Sequence, residues 1–199
     1  MEDRTRARNA NIFYTVDRRK TLRAGQKLDC DGDLSGRKFY PVASHYSEAD
    51  IETLLHELYP QGTSMHGKEY LLDRCIVMKD SAGKTLPAVS ANPQTELIFE
   101  LVRRLSFPHL PSRFTSMFGW EQKEEAAIFR EQHCSGSGQI CEVSAELGFK
   151  GDMGLLLPGG TILGSWLFAQ RYWSGMQLSS PSWECLLLAP VFVMAILPD

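Results

Sequence analysis

A long apolar run closes this chain, from Pro181 to Leu197, and it carries a single carboxylate, Glu184, near its start. Such a run must be buried, either in a membrane or in a core. It is shorter than the roughly 20 residues a bilayer crossing needs, and Glu184 and Pro190 interrupt it. The stretch is expected to form two short buried strands with a bend at Ala189-Pro190, because proline is tolerated between strands and not within a central one. Glu184 then stands at the head of a buried strand, between Trp183 and Cys185. A carboxylate there is costly unless it is paired, hydrogen-bonded or open to a cleft. The plainer alternative is a solvent-facing glutamate beside the Ser180-Pro181-Ser182 turn.

The other 180 or so positions support one α+β domain spanning 1–199. At 43% hydrophobic and 23% charged residues, the chain has ordinary globular values. Its net charge of −3 argues against bulk attraction to nucleic acid or acidic lipid. The charge is uneven, however. Residues 1–27 hold eight cations (Arg4, Arg6, Arg8, Arg18, Arg19, Lys20, Arg23, Lys27) against three anions, a net +5, which leaves −8 elsewhere. A basic arm at 1–10 suits phosphates or simply solvent. The five cysteines are scattered, with no Cys-x-x-Cys, so no metal site is expected. The polar opening residues do not read as a signal peptide, and a cytoplasmic, non-membrane protein with reduced thiols is expected.

Along the chain, Asn11–Val16 reads as the first strand. Ser47 caps a helix to Tyr59 whose apolar face is Ile51, Leu54, Leu55 and Leu58, with His56 solvated. A second helix covers 95–104 and ends in cations that suit its dipole. Ser112–Trp120 is expected as a strand, 121–131 as a helix, 139–144 as an alternating strand and 163–172 as a helix that includes a packing Tyr172. Strands and helices mix without βαβ alternation, which indicates α+β.

Several of these pieces, in this order, resemble the ADP-ribosyltransferase superfamily. Phe13-Tyr14-Thr15-Val16 with Leu22 and Gly25 is similar to the family's opening strand, and Arg113-Phe114-Thr115-Ser116-Met117-Phe118-Gly119 to its middle strand. Glu124-Glu125-Ala126-Ala127 and Ile140–Val143 follow as in many members, and Glu184 stands where the family keeps its catalytic glutamate. The resemblance covers most of 11–30 and 107–197 and implies a split β-sheet core, with 31–106 as a helical insertion. It also implies NAD as substrate, without a metal. Glu184 would stabilise the oxocarbenium-like centre at the ribose and Arg113 would meet the pyrophosphate. Thr15, with Ser116 behind it, would fix the carboxamide, Thr115 would also contact the dinucleotide, and Phe118 or Trp120 would stack on the nicotinamide.

The chain also departs from the pattern. Tyr14 occupies a position where members carry His, so either Tyr14 or one of Arg18, Arg19 and Arg23 would hold the ribose or a phosphate. His66-Gly67 resembles the family's His-Gly pair but lies far along the chain from the first strand, and is set aside. Ser182 removes the Glu-x-Glu doublet of arginine-modifying members, which tilts the acceptor toward RNA or DNA. The subfamilies closest in character are toxins of prokaryotic conflict and phage defence, which implies an antitoxin and a chaperone as partners. Two alternatives stand beside transfer to a macromolecule: an NAD glycohydrolase, and a catalytically silent nucleotide- or partner-binding module.

Overall fold

The structure is a computed structural model, and it describes residues 11–32, 46–73 and 93–198. The basic arm at 1–10 and Cys75 lie outside the described residues. The architecture is α+β: among the described residues, a five-stranded antiparallel sheet stands with five α-helices. The strands are β1 (Asn11–Asp17), β2 (Lys27–Leu28), β3 (Met117–Gly119), β4 (Gln139–Asp152) and β5 (Trp183–Ile196). The helices are α1 (Glu48–Leu58), α2 (Met65–Lys68), α3 (Pro93–Ser106), α4 (Lys123–Cys134) and α5 (Ile162–Trp173). Among the described residues, no helix is long and apolar enough to cross a membrane.

Strands β4 and β5 form the spine, paired from Cys141 opposite Ile196 to Asp152 opposite Trp183. β1 pairs with the first half of β4, Asn11 opposite Ala145 through Asp17 opposite Gln139. The other edge of β5 takes β3 near its start and β2 near its end. Just past β3, Trp120 exchanges two backbone hydrogen bonds of 2.8 Å with Tyr14, so β3 also reaches β1. The sheet thereby curls into a ring of β1, β4, β5 and β3. Period-two alternation directs Phe13, Cys141, Val143, Cys185, Leu187 and Val193 into one cluster within the curl.

The run at 183–197 is one strand and not two. Pro190 is accommodated where the register slips: Ser144 faces Phe192 and Glu146 faces Leu188, so β5 spends extra residues around Ala189-Pro190. An irregularity of this kind leaves a residue outside the ladder, and proline has no N–H to give it. The expected strand at 112–120 is also corrected. Only Met117–Gly119 pair, because Ser112 closes the preceding residues into a turn: its Oγ accepts Phe114 N (3.1 Å) and its carbonyl accepts Thr115 N (3.1 Å) and Ser116 Oγ (2.8 Å).

Helices cover the sheet on two sides. α4 packs Ala126 against Trp120 and Ile140. On the other side α3 and α5 bury Phe99, Val102, Ala169, Tyr172 and Trp173 over Leu186 of β5. Each large apolar side chain buried in this way contributes about 1.5–3 kcal/mol. Trp173 Nε1 donates to the carbonyl of Phe99 at 2.8 Å, which fixes α5 on α3. The segment read as an insertion thus supplies α3, a layer of this core. Helix α1 forms with the expected cap, Ser47 Oγ accepting from Asp50 N and Ser47 N donating to Asp50 Oδ2 at 2.6 Å. Its buried face is narrower than its sequence suggests: Leu55 is buried with Tyr59 and Phe114, while Leu54 and Leu58 are exposed.

Candidate functional site

Glu184 follows the first residue of β5, opposite Gly151 of β4, and only 2% of its surface is exposed. Burial at this level excludes the solvent-facing alternative. Alternation places it with Leu186, toward α3 and α5, and so across the strand from Cys185 and Leu187. Beneath those helices it meets Arg113, which the turn at Ser112 projects into the same space. Arg113 Nη1 donates to Glu184 Oε1, and Tyr172 Oη donates to the same oxygen at 2.6 Å. Tyr172 in turn accepts from Arg113 Nη1 at 2.8 Å. Among the described residues, Oε2 of Glu184 has no donor.

Arg113 is 4% exposed and is shared between two acids. It grips Glu96 of α3 with a fork, Nε to Oε2 at 2.8 Å and Nη2 to Oε1 at 3.0 Å, and reaches Glu184 with its third nitrogen. Its guanidinium also lies 4.7 Å over the ring of Phe118. This saturation corrects the role expected for Arg113: with every nitrogen committed to a protein acceptor, it is not placed to receive a pyrophosphate. It acts as a brace for two carboxylates.

One cation between two acids leaves a surplus negative charge in a site that water barely reaches. Burial raises the Glu184 pKa above the ordinary carboxylate value, and the neighbouring Arg113 offsets that only in part. Burial opposes the charged form of Arg113, yet Glu184 and Glu96 outweigh it and hold the guanidinium's pKa well above its usual value. Burial and the Glu184 charge push the Tyr172 hydroxyl well up, so it remains a donor. Chemically this is a fixed carboxyl group, anchored on one oxygen, whose proton affinity is enhanced.

Two glycines make room for the arrangement. A Cβ on Gly151 would lie 2.4 Å from Tyr172 Cε2, so only glycine lets that ring lie against β4 beside Glu184. A Cβ on Gly67 would lie 2.0 Å from the carbonyl oxygen of Phe114, so glycine also lets α2 approach the turn that carries Arg113. That approach brings in His66. Its ring sits 4.2 Å from the Phe118 ring and 4.4 Å from the Tyr70 ring, and its Nε2 is 4.0 Å from Glu96 Oε1.

The other expected site residues are dispersed. Thr15 Oγ1 donates to the Phe118 carbonyl at 2.7 Å, joining the first and middle strands. Thr115 and Ser116 both donate to Ser112 O, and Ser116 is fully buried, so these hydroxyls shape the turn. Tyr14 belongs with Trp120, Ala126 and Ile140 under α4, and Arg18 lies 5.4 Å over the Phe129 ring of the same helix. Arg23 donates to the carbonyls of Lys20 and Leu22, and Arg19 pairs with Glu69 just after α2. Trp120 is buried in the core, while Phe118 carries the cation contact. Among the described residues, no three His, Cys, Asp or Glu side chains gather as a metal ligand set.

Sequence reasoning missed Glu96, Tyr172 and His66. The signal for Glu96 was available: it falls one turn before Glu100 and three residues before Phe99, so two acids share the buried face of α3. A family model with the description "Protein of unknown function (DUF2441)" matches residues 13–199. The chain belongs to this family. A comparison with curated proteins found no match. In this DUF2441 chain the matched region takes in α2, α3, the Ser112 turn, α5 and β5, and β1 from Phe13 onward.

Proposed function

We propose that this DUF2441 protein is an NAD-consuming ADP-ribosyltransferase that modifies a macromolecule, with nucleic acid favoured over protein. The observation that carries the reading is Glu184: a buried carboxyl at the head of the last strand, held by Arg113 and Tyr172 on one oxygen and undonated on the other. Holding such a group out of water is expensive, and a fixed carboxylate is what a developing positive charge at a ribose carbon requires. The pairing of β3 with both β5 and β1 supports the same reading, since it gathers the three strands that the resemblance singles out. In the reaction the bond from ribose C1′ to the nicotinamide nitrogen breaks, the acceptor's nucleophilic atom bonds to C1′, and the acceptor's proton leaves. The toxin and phage-defence setting, with an antitoxin and a chaperone, belongs to this proposal.

The burial of Glu184 and the saturation of Arg113 favour a second reading, a silent module in which the network only supports a binding surface. One experiment separates the two. Purified protein and its Glu184→Gln variant are incubated with cell lysate and NAD labelled in the adenine half, followed by nuclease or protease digestion. Transfer predicts label on a macromolecule, lost by about a hundredfold or more in the variant. Free labelled ADP-ribose indicates the glycohydrolase. No NAD consumption by the wild type, or equal consumption by the two proteins, removes the enzymatic reading.

A further inference from the structure

Beside the Ser112 turn lies an open-mouthed cavity of about 360 Å³, whose lining does not include Glu184. It is walled by the end of α1 and the loop after it, the end of α3, Pro108, and the turn residues Ser112 and Thr115. Its size falls within the range of small-molecule sites, roughly 300–1,000 Å³. Its lining includes Arg103 and Arg104 and no acid. Behind the wall, Glu100 accepts from Arg103 (2.9 and 2.8 Å), from Arg104 Nε (2.7 Å) and from Ser112 Oγ (2.8 Å).

One carboxylate thus faces two guanidiniums. Arg103 alone satisfies it with a two-point fork and spends its remaining nitrogen on the Leu110 carbonyl at 2.9 Å. Arg104 is the surplus cation. It contacts Glu100 with Nε, the Leu58 carbonyl with Nη2 at 3.2 Å and the Tyr59 hydroxyl, and its side chain stays 35% exposed. Its guanidinium is held 5.0 Å over the Tyr59 ring, so its direction is fixed before any ligand arrives. The C-terminal end of α3 contributes only about half a negative charge, less than the unmatched positive one. Leu58, Pro60 and Pro108 supply apolar wall beside it.

We propose that this cavity is an anion site for the phosphate group of a small molecule, with Arg104 as its principal ligand and the Leu58–Pro60–Pro108 wall receiving the organic part. The charge of an arginine attracts phosphate oxygens, and a lining free of acids avoids repulsion. The site is separate from Glu184, and the inference stands independently of the ADP-ribosyl transfer reading. The two sites nevertheless share α3 and the Ser112 turn, since Glu96 holds Arg113 and Glu100 holds Ser112.

The test is titration calorimetry with inorganic phosphate and phenyl phosphate at low ionic strength and pH 7, with acetate as the comparison anion. The proteins are the wild type, Arg104→Ala, Leu58→Glu and Lys123→Ala. Leu58 is exposed, so a carboxylate there charges the wall without entering the core. Saturable phosphate binding is expected in the wild type and Lys123→Ala, with phenyl phosphate bound more tightly and both lost by tenfold or more in Arg104→Ala and Leu58→Glu. Leu58→Glu keeps the test valid should Arg104→Ala fail to fold. No saturable binding, acetate binding as tightly as phosphate, or equal affinity in Leu58→Glu overturns the proposal.

Discussion

Replacing Arg113 by methionine keeps an unbranched side chain of similar reach and removes only the charge and its hydrogen bonds. Two carboxylates then remain in place, Glu96 at 7% exposure and Glu184 at 2%, with no guanidinium between them. Removing one partner of a buried ion pair destabilises by about 3–5 kcal/mol. The loss here belongs at the upper end, because two acids are orphaned at once. For a chain of this size each kcal/mol shifts the melting temperature by about 2–4 °C, so a drop of about 10–20 °C is expected. The effect has a pH signature. In the wild type, burial raises the Glu184 pKa, so the folded state binds its proton more tightly than the unfolded chain. A raised carboxyl contributes stability below its unfolded value and loses it as pH rises through the folded value. Without Arg113 the group is driven further up, and the variant's deficit is largest at pH 7–8 and shrinks toward pH 5. Urea unfolding followed by tryptophan fluorescence at four pH values measures this. A deficit below about 1 kcal/mol at pH 7, or one that grows on acidification, would refute the reasoning. The triple variant Glu96→Gln, Arg113→Met, Glu184→Gln should recover most of the loss, since no uncompensated charge remains.

Other outcomes follow from the same geometry. Tyr172→Phe removes the donor to Glu184 Oε1 and the acceptor of Arg113 Nη1, and should destabilise by about 1–3 kcal/mol in chemical denaturation. Gly67→Ala places a methyl 2.0 Å from a backbone oxygen that cannot step aside, so its melting temperature should fall further than that of Tyr172→Phe. Burial raises the Cys141 and Cys185 thiols to about 11 and about 12, so at pH 8 both stay protonated. Mass spectrometry should then find them unmodified by iodoacetamide in the native protein and modified in urea. Asp17 accepts from Thr21 N, Leu22 N and Gln139 Nε2, and Asp17→Asn should loosen the loop after β1 by about 1–2 kcal/mol, read as faster amide exchange at Thr21 and Leu22.

Local signals in the sequence were sound where short-range physics decides. Ser47 with Asp50 marks a helix start, the β-branched and aromatic residues of 11–16 mark a strand, and Glu184 in an apolar run marks a carboxylate that needs partners. The partners themselves were harder to read. Arg113 looked like a strand residue because Phe114, Met117 and Phe118 surround it, whereas Ser112 spends its hydroxyl and carbonyl on closing a turn. Tyr172 looked like packing because its ring is indeed packed, and only the fold shows where the hydroxyl goes. His66 stands far along the chain from the first strand, which says nothing about distance in space once Gly67 allows α2 to touch Phe114. β4 continues past 144 because β5 pairs with it there, a long-range term that alternation cannot anticipate.

The two hydrogen bonds between Tyr14 and Trp120 are a latch. With it fastened, the outer flank of β1 is occupied at its midpoint. Exposed strand flanks are the template on which foreign chains assemble into aggregates, and this protein guards one of them with a single residue that sits about a hundred positions away in sequence. Amide protons at Tyr14 and Trp120 would then exchange together, and a change that frees Trp120 should reveal itself first as loss of solubility, before any loss of helix content.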